Sequence, residues 1–265
     1  MPLRQITLRF LAIAAMVVVV VAGSPIPSAQ AATLYSSSMK APPLTAGNLV
    51  GQDGWAAHSG AGSGPIQVGS NGTTLVAGNS EDAYVGFTQI AAGQTYYYGF
   101  DVSVVGEGAV ATPLYFAGFK LATASTYTTR AWVTTSAGAD FTFGLSSTSG
   151  STPPTASWAT GLTFGQTYRV VGSYSYDNGD TRLWVDPTNE ASSSISVPGT
   201  GTSPFAAFAL RQSTADSNQL ISNLAVGTSF TDVVTPVPEP SAALLACSAV
   251  GLLGGLGLRR RVGRG

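Results

Sequence analysis

The sequence predicts an all-β chain, a two-sheet antiparallel β-sandwich of about ten strands. Three observations predict it. Short runs rich in Val, Thr, Tyr and Phe recur, separated by Gly, Asn, Ser and Pro, as in strands joined by tight turns. No stretch between residues 32 and 232 sustains a helical apolar period, and no repeat of fixed length appears. One segment, 167–187, alternates at period two on both sides of a turn signal.

In chain order, three weaker runs come first: PIQVGS (65–70), TTLVAG (73–78) and DAYVGFTQI (82–90). The aromatic and β-branched TYYYGFDVSVV (95–105) follows, then PLYFAGFKL (113–121), RAWVTT (130–135) and DFTFGLSS (140–147). In the hairpin, Tyr168, Val170, Gly172, Tyr174 and Tyr176 share one face, with Arg169, Val171, Ser173 and Ser175 on the other. Asp177-Asn178-Gly179-Asp180 makes the turn, because Asn-Gly tolerates positive φ. Beyond it, Leu183 and Val185 face opposite to Arg182 and Trp184, so Trp184 meets either solvent or a covering loop. FAAFALRQS (205–213) and LISNLAVGTSF (220–230) close the domain, expected to span 32–232.

Charged residues make up only 9% of the chain, against the ~25% usual in soluble domains. The net charge of -1 hides an uneven distribution. Residues 32–232 hold six basic and twelve acidic side chains, so a phosphate-binding surface and a nucleic-acid partner are not expected. Cys247 is the only cysteine. No intramolecular disulfide exists, and ~200 residues must rely on their core.

The two ends read differently. Arg4 and Arg9 precede twelve unbroken apolar residues, 11–22, and the small-residue site Ala29-Gln30-Ala31 follows. That order is a secretory signal peptide, residues 1–31, cut after Ala31. At the other end, a Pro-rich linker (233–240) carries Pro238-Glu239-Pro240. Residues 241–258 follow without a charge; as a transmembrane helix they would span about 27 Å. Last is an Arg-rich tail, 259–265, with Arg259, Arg260 and Arg261, which resists translocation and stays cytoplasmic.

This tripartite end resembles the PEP-CTERM sorting signal of Gram-negative bacteria. The resemblance implies that Pro238, Glu239 and Pro240 are the recognition motif and that the partner is an exosortase-type processing enzyme. It also implies that the membrane holds the chain through its C-terminal helix only until processing. Family members are exported and often associated with exopolysaccharide. Residues 32–232 in turn resemble the concanavalin A-like, or laminin-G-like, jelly roll, through the LWVD hairpin, the late ISNLAVGTSF and the early GNLVGQDGWAAHSGAG (47–62).

Catalytic patterns are scarce. His58 is the only histidine, and it lies in a Gly-rich stretch read as loop. It rules out multi-histidine metal sites. No G-x-S-x-G and no phosphate-binding loop occurs. The resemblance admits glycosidases, but Glu81, Glu107 and Glu239 have no acidic partner two or four residues away, and Glu190 has only Asp186, four before it, with no acid between them as an E-x-D-x-E-like run would need. Asp177, Asn178 and Asp180 are the candidate ligands for calcium, with Asp186 nearby in the hairpin; the same residues also serve as plain turn formers. Trp184 and Trp55 are the candidate glycan contacts among four tryptophans.

The expectation is an exported, non-catalytic surface or matrix protein that associates with extracellular polysaccharide. A glycan-active enzyme (glycosidase or lyase) and a calcium-assisted lectin are the alternatives.

Overall fold

The computed structural model describes residues 32–87, 91–106, 109–121, 126–147, 154–201, 204–213 and 217–235. The expected cleavage site at Ala29 and Ala31, the Pro238-Glu239-Pro240 motif, the 241–258 helix and Arg259–Arg261 lie outside the described residues. Among the described residues, no helix is long and apolar enough to cross a membrane.

Sixteen strands and one short helix make up the described chain. They are β1 (Thr33–Ser37), β2 (Gly47–Asn48), β3 (Trp55–Ser59), β4 (Gln67–Val68), β5 (Thr73–Leu75), β6 (Asp82–Gly86), β7 (Thr95–Gly106) and β8 (Leu114–Lys120). After these come β9 (Arg130–Thr134), β10 (Thr142–Ser146), β11 (Ala156–Ser157), β12 (Thr167–Ser175), β13 (Thr181–Val185), β14 (Ile195–Val197), β15 (Ala207–Leu210) and β16 (Ser217–Gly227). Helix α1 (Thr231–Val234) is last. One sheet runs β14-β13-β12-β7-β16-β5-β4-β2, with β1 paired to β16; the other runs β11-β10-β9-β8-β15-β6-β3. The chain passes back and forth between two antiparallel sheets, so the fold is the expected all-β sandwich.

The strong runs became strands close to where their composition placed them. The hairpin pairs Val170 with Val185 and Tyr174 with Thr181, and Gly179 takes a positive φ of 78°. Five strands went unread: β1, β2, β3, β11 and β14. β3 lies in the stretch taken for a loop, held by pairing to β6 and by Trp55, which is 2% exposed. β14 is a short edge strand in a Ser-rich segment. The 220–230 run is a strand only to Gly227; the chain then turns back and packs as far as Val234.

Alternation at period two sends two sets of side chains to opposite faces of each sheet. Val170 and Leu183 face Phe143 and Leu145 across the sandwich within one continuous core. Tyr98 meets Phe119 edge-on at 5.1 Å, and Phe100 meets Phe116 at 5.8 Å. Gly172 sits mid-strand because a Cβ there would lie 2.1 Å from the Tyr98 ring.

Candidate functional site

Part of the outer face of the β14–β2 sheet is covered by the chain itself. Tyr97, Val171, Trp184, Ala225, Phe230 and Val233 form a second, smaller apolar cluster. The segment after β16 lies over it, and Phe230 caps Trp184 at 5.1 Å. Arg169 anchors this cover. Its guanidinium pairs with Asp101 at 3.0 Å and donates to the carbonyls of Asn223 (2.7 Å) and Val233 (3.2 Å from Nε). Asn223 Nδ2 donates to the other Asp101 oxygen at 2.6 Å. Gly99 permits the approach, since a Cβ there would sit 2.2 Å from the Val233 carbonyl. Every charge here is compensated, as a buried pair requires.

The sequence-derived site residues take structural places. Trp184 is fully buried under Phe230, and Trp55 is core, its Nε1 donating to Tyr35 Oη at 2.8 Å. Neither ring leaves a face for a sugar, which corrects both assignments. Asp177, Asn178 and Asp180 close the hairpin turn. Asp177 Oδ1 accepts from Gly93 N (2.8 Å), Asn178 Oδ1 from Asp180 N (3.0 Å), and Asp180 Oδ1 from Gly199 N (2.8 Å). Asp186 sits at the other end of the hairpin, accepting from Arg169 N at 2.7 Å, and does not join them. Among the described residues, no group of three or more His, Cys, Asp or Glu side chains could hold a metal ion. Asn178 and Asp180 also line a groove of about 290 Å³ with Arg182 and Glu190, where Glu190 accepts from Tyr97 Oη at 2.7 Å.

Sequence reasoning missed the outer face of the β11–β3 sheet. Phe208 and Leu210 of β15 point into the core, so Arg211, next in alternation, points out. On β9, Arg130 and Trp132 alternate with the core residues Ala131 and Val133. Trp132 is paired with Tyr115 of β8. Segment 126–129 folds back along the end of β8, with Thr128 N donating to Phe119 O at 2.8 Å, which brings Tyr127 alongside. Gly118 makes the fold-back fit, because its Cβ would lie 2.0 Å from the Thr129 carbonyl.

The result is a cluster of rings and cations. The Arg130 and Arg211 guanidiniums lie 4.4 and 4.3 Å from the centre of the Tyr115 ring. Tyr127 and Trp132 each meet Tyr115 edge-on at 5.2 Å. Lys120 Nζ sits 4.7 Å over Tyr84, and His58 touches Tyr84 and Tyr127 at 6.4 Å. Tyr84, Tyr115, His58 and Arg211 are half-buried and open to a ligand.

The polar accounting here is incomplete. Arg130 is 4% exposed and Tyr127 2%, yet Arg130 Nε and Tyr127 Oη have no hydrogen-bond partner. No carboxylate pairs with Arg130 or Arg211 among the described residues. Asp82, the carboxylate with electrostatic reach to Arg211, accepts from Ser59 Oγ (2.7 Å) and Gln212 N (2.9 Å). Burial pushes the pKa of Arg130 down, though a guanidinium stays charged. Burial pushes the Tyr127 phenol up, which keeps it a donor. His58 is held below its usual range by burial first and Lys120 second. Such a face can stack a ring, donate hydrogen bonds and attract negative charge. The one signal in the sequence was the Arg-x-Trp alternation at 130–132.

Comparison with known proteins bears on the tail and on the sandwich. No curated protein sequence matches the chain. Among solved structures, it is similar to the CBM2 module of Lactobacillus casei BL23 phage J-1 evolved Dit, at 10% identity and a TM-score of 0.49, covering 79% of this chain and 98% of that one. It is similar to the metal-free Emp46p carbohydrate recognition domain at 10% identity and a TM-score of 0.47, covering 72% and 95%. The alginate lyase from Alteromonas sp.272 aligns at 12% identity and a TM-score of 0.39, covering 65% and 92%. Residues 236–261 match the PEP-CTERM protein-sorting motif, which begins directly after Thr235, the last described residue. The chain therefore carries a PEP-CTERM sorting signal and is an exported protein.

Proposed function

We propose that this is a non-catalytic surface or extracellular-matrix protein whose sandwich binds polysaccharide through the outer face of the β11–β3 sheet. The observation that carries this reading is Tyr115, half-buried and flanked by two guanidiniums that form no ion pair among the described residues. Aromatic faces take the apolar side of sugar rings, and guanidinium and phenol donors fix their oxygens. The carboxylates favour binding over glycoside hydrolysis. Glu81 accepts from Gly62 N (2.9 Å) and Ile66 N (3.1 Å), and Glu190 from Tyr97, so neither belongs to this face. Before it acts, the chain is a membrane-held substrate of an exosortase-type enzyme that reads Pro238, Glu239 and Pro240.

A glycan array with the full-length chain, purified in mild detergent, tests the reading. Binding that falls in Tyr115→Ala, while the melting transition holds, supports it. An array with no bound glycan, or binding indifferent to Tyr115→Ala, overturns it. Loss of binding on adding a chelator moves the reading to a calcium-assisted lectin, and a shortened glycan product moves it to an enzyme.

A further inference from the structure

The charge on this face narrows the ligand. Residues 32–232 are acidic overall, yet three of their six basic side chains, Lys120, Arg130 and Arg211, gather around two tyrosines. Arg169, across the sandwich, has a carboxylate partner; Arg130 is equally buried and has none among the described residues. A buried cation without counter-charge costs stability, and its usual remedy is an anion. Both guanidiniums lie against one ring, and each has planar paired donors suited to an oxyanion. Arg130 Nε and Tyr127 Oη, buried beside this face, have no hydrogen-bond partner among the described residues.

Resting on the glycan-binding reading above, we infer that the ligand is an acidic polysaccharide whose oxyanion sits against the Arg130 and Arg211 guanidiniums that flank Tyr115. A uronic-acid carboxylate and a sulfate ester share the needed chemistry.

The test is titration of the full-length protein with four soluble polymers: polygalacturonate, its carboxyl-reduced form, dextran sulfate and dextran. Binding of polygalacturonate, with loss on carboxyl reduction, identifies a carboxylate ligand. Binding of dextran sulfate alone identifies a sulfate ligand, and either result supports the proposal. Arg130→Gln and Arg211→Gln should each weaken binding about tenfold or more, with Lys replacements recovering part. Should a variant fail to fold, the unaltered protein still decides: binding of an anionic polymer must weaken as salt rises. Equal binding of dextran and polygalacturonate, unaffected by salt, overturns the acidic ligand while leaving glycan binding intact. Binding to none of the four overturns the inference, and the array shows whether the broader reading falls with it.

Discussion

The two outer faces of the sandwich use the same kinds of residue to opposite ends. Behind β12 and β13, Arg169, Tyr97 and Trp184 lie beneath residues 228–235, and the arginine has a carboxylate and two carbonyls. Outside β8 and β9, Arg130, Tyr127 and Trp132 are as deeply buried, but the arginine has rings around it and no ion pair among the described residues. The difference teaches how to tell a fastening from a receptor. A fastening satisfies its own charges, whereas a receptor leaves them for something else.

Breaking the fastening should have the largest effect. Arg169→Met strands Asp101 and frees the 228–235 segment, and should cost about 3–5 kcal/mol in chemical denaturation. Asp101→Asn in the same chain should recover part of that loss. Trp184→Ala empties the small cluster between Val171 and Phe230 and should cost about 3 kcal/mol, with glycan binding kept wherever the fold survives.

The receptor face should answer differently. Arg130→Met removes a buried, unpaired cation and its ring contacts, so stability should change by about 1 kcal/mol or less in either direction while glycan binding is lost. Asp180→Ala removes the bond from Gly199 N, and its expected cost is about 1 kcal/mol with no change in binding. Binding lost in Asp180→Ala would shift the site to the groove beside Glu190.

A pH series gives the smallest effect and sharpens the comparison further. His58 titrates lower in the folded chain than in the unfolded one, so the unfolded chain takes up the proton first. Stability should fall as pH drops through about 6.5, and His58→Gln should flatten that slope. A rise in wild-type stability over that window that persists in His58→Gln would assign the slope to Asp82, whose pKa burial raises.

The fold was legible because period-two alternation and turn chemistry are local. The Tyr168–Tyr176 series and the Asn178-Gly179 turn specify their hairpin without help from distant residues. The site was not legible, because it exists only through sheet order. Arg130, Tyr115, Arg211, Tyr84 and His58 come from β9, β8, the end of β15, β6 and β3, which are adjacent in space and scattered in sequence. Trp184 misled for the same reason. Its alternation correctly set it opposite Leu183, but the cover over it is supplied by residues some forty positions later, in a run whose end read as strand. The calcium reading of Asp177 and Asp180 relied on residue type alone, and those oxygens accept bonds from Gly93 and Gly199.

Hydrogen exchange of the full-length chain with and without saturating acidic polysaccharide tests the division of labour most directly. Protection should appear over 114–120, 127–134 and 207–211, with 228–235 unchanged. Protection confined to 228–235 or to the groove around Arg182 and Glu190 would contradict it.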